Sequence, residues 1–299
     1  MTTSHDNPPI IILGAARSGT KLLRSLVVAT GHYAEVPFDV NYIWRYGNES
    51  CRDDVLSAER LTQRTRRFIR DQLPRCARRS VHCGETSLPF IEKTVSNVLR
   101  LPFVVSVYPE AKFITIVRDG RDVAESAARC WREPPSADYL LAKLRSFPWH
   151  RCAPYAWKYM IGLARQRLRF EPHLRTWGPR YPGIDADLNQ YSLLEVCARQ
   201  WIASIEHYEQ SRHLIPAGQL LELRYELLVR ETDEQVHRIC DFLRIENRES
   251  ALRFARQTIC ADQVASNKCV TAEKADRMTK IMYAALDRWG YLLQSARAA

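Results

Sequence analysis

The sequence predicts an α/β fold: a P-loop-like parallel β-sheet flanked by helices on both faces. Three observations carry this. A short apolar run, Ile10–Leu13, leads into a glycine-bounded loop and then a helical pattern. A second β-branched run, Lys112–Val117, is followed at once by "RDGRDVAES", which opens another helix. A third, "QLLELRY" at 219–225, precedes the helical stretch "TDEQVHRICDFL". Strands that alternate with helices need the long crossovers of a parallel sheet. In such sheets ligands gather beyond the carboxyl ends of the strands, where all three turns fall.

The elements follow in order. Ile10–Leu13 is a buried strand, and Thr20–Thr30 a helix stopped by Gly31. Residues 60–79 carry eight Arg and one Asp, with Leu61, Phe68, Ile69 and Leu73 as the apolar side of an amphipathic helix. Its basic side is either a solvated face or a binding surface. Residues 132–190 hold seven prolines and show no strand–helix rhythm. They form an irregular helical insertion, of the kind that often carries function. A clean helical period resumes from Ser192 through Leu194, Cys197, Trp201, Ile205 and Tyr208, and another spans 273–293. The 299 residues fit one domain, 1–299.

Composition narrows the class. No apolar run approaches 18 residues, so no membrane span is expected. The start, "MTTSHDNPP", lacks the basic and apolar regions of a signal peptide. A cytoplasmic enzyme is expected. Nine scattered cysteines without a C-x-x-C pair predict reduced thiols packed as small core residues, and no metal cluster. The net charge is +10, from 36 Arg and 8 Lys against 34 acids. Composition bias explains this, or an anionic ligand does, since arginine forks match phosphate and sulfate. Nucleic acid is not expected as a partner: no binding motif is present, and few aromatics interleave with the basic residues. A homodimer is compatible with the sequence.

The first loop, "GAARSGTKLL", keeps the glycine spacing of G-x-x-x-x-G-K-[ST] at Gly14 and Gly19. The next two residues are Thr20 and Lys21, in swapped order, followed by Leu22. Such a turn aims backbone N–H groups at an anion, and the helix dipole adds positive charge. Ser18 and Thr20 add hydroxyls; Arg17 and Lys21 add full charge. In "FITIVRDGRDVAES", Arg118 stands at a strand end and Ser126 about two helical turns on. Arg118 either forks onto a second phosphate, with Ser126 donating to it, or pairs with Asp119 or Asp122. Two anion sites this far apart in sequence suit a nucleotide with phosphates at both ends.

These two motifs, in this order, resemble the sulfotransferases that use 3′-phosphoadenosine-5′-phosphosulfate. The resemblance runs from Ile10 to Trp131 and resumes at "LELRYELLV" and "SNKCV…LDRWGY"; the middle, 132–215, is only loosely similar. It implies that Arg17, Ser18, Gly19, Thr20, Lys21 and Leu22 hold the 5′-phosphosulfate and that Arg118 and Ser126 hold the 3′-phosphate. It further implies that Tyr225 touches the nucleotide and that Lys268 lies in a loop over it. The partners implied are a nucleotide donor and a hydroxyl-bearing acceptor, a carbohydrate or another large hydroxyl compound, with 3′,5′-diphosphoadenosine as product and no required metal.

Sulfuryl transfer needs charge stabilisation on the leaving side and a base on the attacking side. The resemblance assigns the leaving side to Arg17 and Lys93. No histidine follows Lys93 by two residues; Val95 stands there, unlike the small-phenol members. Phe38 occupies the place of the tyrosyl-type Glu. The base candidates are Asp39, then Glu35, then Glu85. Two alternatives remain: a P-loop kinase or nucleotidase, and a non-catalytic protein that binds an acidic glycan or nucleic acid on the same fold.

Overall fold

The computed structural model describes residues 8–78, 88–132, 177–259 and 272–292. Its sheet has five strands: β1 (Ile10–Leu13), β2 (Ala34–Glu35), β3 (Phe90–Glu92), β4 (Lys112–Val117) and β5 (Leu220–Arg224). They lie in the order β2-β3-β1-β4-β5, and every pairing is parallel. Two of the five were not expected from sequence. β2 and β3 have two and three residues, too few for a strand period to show.

The sheet is covered on both faces, and β1 shows why its sequence is uniformly apolar. Ile11 and Leu13 join a core cluster with Phe103, Val104 and Trp201. Ile10 and Ile12 join the opposite cluster with Leu23, Leu26 and Ile239. Successive side chains of a strand point to opposite faces, so a strand buried on both needs an unbroken apolar run. Ile10–Leu13 pairs with Lys112–Thr115, and Phe113–Val117 with Leu220–Arg224.

The helices follow the sequence pattern closely. α1 (Thr20–Val28) buries Leu23, Leu26 and Val27. It ends before the expected Thr30, whose hydroxyl donates to the Val27 carbonyl at 2.6 Å and draws the chain into a turn. α2 (Asn41–Trp44) and α3 (Gln63–Arg78) follow, and α3 is the arginine-rich helix. α4 (Leu101–Val107) and α5 (Gly120–Arg132) flank β4 in sequence. Of the insertion, the described part holds α6 (Ile184–Gln190); 133–176 lie outside the described residues. α7 (Leu193–Ser211) starts at a capping box, in which Ser192 and Glu195 satisfy each other's backbone N–H. α8 (Tyr225–Arg230), α9 (Thr232–Leu243), α10 (Glu249–Thr258) and α11 (Ala272–Arg288) complete the described helices. Among the described residues no helix is long and apolar enough to cross a membrane, and no cluster of metal-ligating side chains forms. Cys197 and Cys240 are buried free thiols, Cys76 is buried, and Cys51 and Cys130 are half-buried.

Candidate active site

Because the sheet is parallel, its five carboxyl ends share one edge, and that edge gathers most of the sequence candidates. β1 is central, with β3 on one side and β4 on the other. The 14–19 loop therefore leaves β1 between the end of β3, which carries Lys93, and the end of β4, which carries Arg118. β2 leads to Glu35 and Asp39 on the β3 side, and β5 ends at Tyr225 on the β4 side.

The loop is built for close approach. Gly14 has φ 155° and Gly19 φ 92°. A Cβ at Gly14 would lie 2.6 Å from the Ile116 carbonyl oxygen, and one at Gly19 would lie 2.5 Å from the Tyr225 ring. Arg17 adopts φ 75°, a left-handed conformation that non-glycine residues rarely take and that concentrates at functional sites. α1 begins with neither a side-chain cap nor an acidic residue in its first turn, so its dipole is not neutralised locally. The Ser18 hydroxyl is buried and has no hydrogen-bond partner among the described residues. An orphaned donor at a helix start, in a loop without room for Cβ atoms, fits an anion there.

Gly19→Ala tests this packing. Left-handed strain and the overlap with Tyr225 together should cost about 1–3 kcal/mol, enough to lower Tm by several degrees in thermal unfolding. An unchanged Tm would show that the Tyr225 ring does not hold the loop.

On the β3 side, Lys93 Nζ donates to Asp39 Oδ1 at 2.8 Å. The lysine side chain is only 4% exposed while Asp39 is 32% exposed, so the pair has a buried cationic end and an open carboxylate end. Two bonds lock the strands that carry them. The Val36 N–H donates to the Ile91 carbonyl at 2.9 Å, and the Val40 N–H to Thr94 Oγ1 at 3.0 Å. Burial first, and then the neighbouring Lys93 charge, push the exposed Lys21 ammonium below its usual range, while Asp39 acts the other way. Lys21 thus belongs to the same charge cluster. Glu35 is held elsewhere: Arg24 Nε meets its Oε2 at 3.0 Å.

On the β4 side, Arg118 pairs with Asp122 at 3.3 Å and lies 4.4 Å over the Tyr225 ring. Burial, followed by Asp119 and Glu226 as like charges, pushes the Asp122 carboxyl up to about 6 despite Arg118. Ser126 does not meet Arg118; it accepts from Arg17 Nε at 2.9 Å and so ties the first motif to the second. Trp201 of α7 donates to the Arg118 carbonyl at 3.2 Å, and Glu226 accepts the Asp119 N–H at 2.9 Å. Leu22 is half-buried on α1. Lys268 and Glu85 lie outside the described residues.

Reasoning from sequence missed Thr94, Glu92 and Glu226. Each acts through a backbone or buried contact with a distant segment, so no local pattern marks it. It also missed Asp54, which binds residue 180 to the segment that follows Asp39. Asp54 accepts from Arg45 at 2.9 Å, Asn41 at 3.0 Å, Ser96 at 2.8 Å and the Arg180 N–H at 2.9 Å.

A family model described as "Sulfotransferase family" matches residues 8–147 and 178–249. No curated protein matches the sequence. Among solved structures, the chain is similar to the sulfotransferase domain from the curacin biosynthetic pathway, at 15% identity and a TM-score of 0.48 over 94% of this chain and 98% of that one. It is similar to the sulfotransferase from Alicyclobacillus acidocaldarius, at 17% identity and a TM-score of 0.49 over 96% of both chains. It is also similar to mouse sulfotransferase SULT7A1 complexed with PAP, at 15% identity and a TM-score of 0.47 over 98% of this chain and 89% of that one.

Proposed function

Since the chain belongs to the sulfotransferase family, we propose that it moves a sulfuryl group from 3′-phosphoadenosine-5′-phosphosulfate to a hydroxyl of an acceptor. The observation that carries this reading is the loop of β1 flanked by two separate cationic strand ends. Lys93, with Asp39 against it, stands on one side; Arg118, over Tyr225, stands on the other. Two anion sites on either side of one loop suit a nucleotide phosphorylated at both ends.

The donor supplies the sulfuryl group and a phosphate leaving group. The N–H groups and Ser18 hydroxyl of the loop orient the phosphate end. Arg17, Lys21 and Lys93 balance the charge that builds on the leaving oxygen, and such prearranged charge lowers the barrier most where it develops. Arg118, with its Tyr225 support, holds the distal phosphate. Asp39, the open end of its pair, takes the acceptor's proton as the hydroxyl attacks. Lys93 thereby exchanges one anionic partner for another. In this reading Tyr225 and Lys268 serve the nucleotide side, as the family resemblance implies.

The acceptor enters on the Asp39 side. Asp54 couples residue 180 to the segment 41–54 that follows Asp39, and this supports the reading of 132–190 as the acceptor-shaping region within a single domain. Trp149→Ala is therefore expected to change the acceptor KM and leave nucleotide affinity within about twofold; parallel loss of nucleotide binding in a folded variant would count against it. Trp177 is a poorer probe, since it packs against the main core. A large hydroxyl compound such as a carbohydrate is the acceptor class proposed.

A nucleotide thermal-shift series tests the function. Binding at about a hundred times Kd stabilises by about 2.7 kcal/mol. 3′,5′-Diphosphoadenosine without added metal should therefore raise Tm by about 5 °C or more. A rise with ATP–Mg²⁺ alone would point to a kinase or nucleotidase. Acidic-polymer binding without any nucleotide response would point to a binding protein.

A further inference from the structure

The arginine-rich helix α3 carries charge that the reaction outlined above does not use. Residues 60–70 hold five arginines and no acid, with Glu59 just before them. Arg70 is paired with Glu110 at 2.6 Å, and Arg75, further along α3, with Asp71 at 2.7 Å. Arg60, Arg64, Arg66 and Arg67 are exposed and make no ion pair among the described residues. The helix gains nothing from them locally. Like charges three or four residues apart repel, and cations are favoured near the end of a helix, not its start. Yet Arg64, Arg66 and Arg67 fall in the first two turns, with no acid in the first. The packing of α3 is supplied by other residues, Phe68, Ile69 and Leu73 among them.

The charged end of α3 lies at the edge of the sheet where Asp39 stands. Tyr46, in the segment after Asp39, stacks on Phe68 with ring centroids 3.7 Å apart. A Cβ at Gly47 would lie 2.7 Å from Thr65 Oγ1, so the helix start is pressed against that segment. The Arg64 guanidinium lies 5.9 Å from the Tyr46 ring centroid. The later turns reach the opposite edge: Arg70 donates to the Val107 carbonyl at 2.9 Å, in the segment that leads into the start of β4. The unpaired arginines are therefore gathered at the Asp39 end.

We propose that the acceptor is an acidic polysaccharide, a chain of uronic acids that docks on Arg60, Arg64 and Arg67 and extends from there to Asp39. The proposal deepens the sulfuryl-transfer reading and rests on it for the role of acceptor. The chemistry of the partner follows from the surface. Guanidinium forks match carboxylates in bidentate pairs. Several of them on one exposed face suit a repeating anion better than a single small acid. Each uronic acid also carries the hydroxyls that the reaction needs. Nucleic acid fits this face less well. Tyr46, the ring beside Arg64, is half-buried and stacked on Phe68, so it offers no open platform for a base. A lipid surface fits less well too. The exposed large apolar side chains among the described residues are Tyr191, Leu214 and Tyr283, and none lies on α3.

The test uses the full chain and a fluorescently labelled oligouronate cut from alginate, with binding read by anisotropy at low salt. Wild type should bind it and should not bind a dextran oligosaccharide of equal length. Arg64→Ala with Arg67→Ala should weaken binding about fivefold, the scale for losing two exposed charge contacts. Affinity for 3′,5′-diphosphoadenosine should stay within about twofold, and the saturating nucleotide should not displace the oligouronate. Arg253→Ala with Arg256→Ala, at two exposed positions of α10, removes the same net charge and should change oligouronate binding by less than about twofold. Given the donor, wild type should add a sulfuryl group to the oligouronate, and the α3 variant should show a raised acceptor KM. Equal oligouronate binding by the α3 variant, equal binding of dextran, or displacement by the nucleotide overturns the proposal. So does RNA or a phosphatidylserine vesicle that binds through Arg64 and Arg67 where the oligouronate does not, and so does transfer to a neutral oligosaccharide with none to the oligouronate. Oligouronate binding that depends on α3, in a protein with no response to 3′,5′-diphosphoadenosine, overturns the sulfuryl-transfer reading and leaves the docking surface standing.

Discussion

Lys93→Ala is expected to lower kcat by about a hundredfold or more, the scale for removing one preorganised electrostatic stabiliser, while the affinity for the donor, 3′-phosphoadenosine-5′-phosphosulfate, changes little. The reason is the pairing at the end of β3. In the resting protein the ammonium is already neutralised by Asp39 at 2.8 Å, so its free charge appears only when it turns to the leaving phosphate. An interaction that strengthens towards the transition state acts on kcat more than on binding. Asp39→Asn should also slow turnover, but through the attacking side, and should remove the acidic limb of the pH–rate profile. Glu35→Gln should leave that limb in place, because Glu35 is occupied by Arg24 on α1. Steady-state kinetics across pH separates the three. If Asp39→Asn keeps full rate while Glu35→Gln loses the limb, the base is Glu35.

Arg118→Ala is expected to weaken 3′,5′-diphosphoadenosine binding by about 2–4 kcal/mol, the range for losing a charged hydrogen-bonded partner at a partly buried site. The Arg118 side chain is 12% exposed, sits over the Tyr225 ring and is anchored by Trp201 at its own carbonyl. Burial, followed by the like charges of Asp119 and Glu226, pushes the carboxyl of its partner Asp122 up to about 6 despite Arg118. A single partly buried carboxylate whose charge its surroundings disfavour is a partner that a phosphate, with more charge and more acceptor oxygens, can displace. Calorimetry on the variant gives the answer; equal affinity would remove Arg118 from the nucleotide site.

The contrast between these residues shows what was legible in the sequence. Arg118 was legible because a six-residue β-branched strand runs straight into it and a helix starts two residues later. The loop was legible because two glycines at fixed spacing separate a strand from a helix. β1, β4, β5, α7, α9 and α11 all stand within a few residues of where hydrophobic period and capping residues put them. Lys93 was different. β3 is three residues long, and the pattern "IEKTVSN" reads locally as a helical start. Its pairing with Asp39, 54 residues away, depends on β2 lying beside β3, which no local signal encodes. The resemblance pointed to the lysine; the parallel register explains why it meets that carboxylate. Ser126 shows the limit of spacing. Two helical turns from Arg118 suggest a shared ligand; the hydroxyl accepts from Arg17 and keeps its own proton to donate. Helical period sets the face on which a residue lies, and not which partner across the crevice reaches it.

The claim that this edge of the sheet transfers sulfuryl groups is tested most directly by incubating the purified chain with sulfur-labelled 3′-phosphoadenosine-5′-phosphosulfate and a fractionated pool of carbohydrate and other large hydroxyl acceptors, then weighing the labelled products by mass spectrometry. The account predicts an acceptor heavier by one sulfuryl group, formed without added metal and lost in Lys93→Ala. Label that stays on the nucleotide with every acceptor, from a protein that binds ATP–Mg²⁺ and not 3′,5′-diphosphoadenosine, would contradict it.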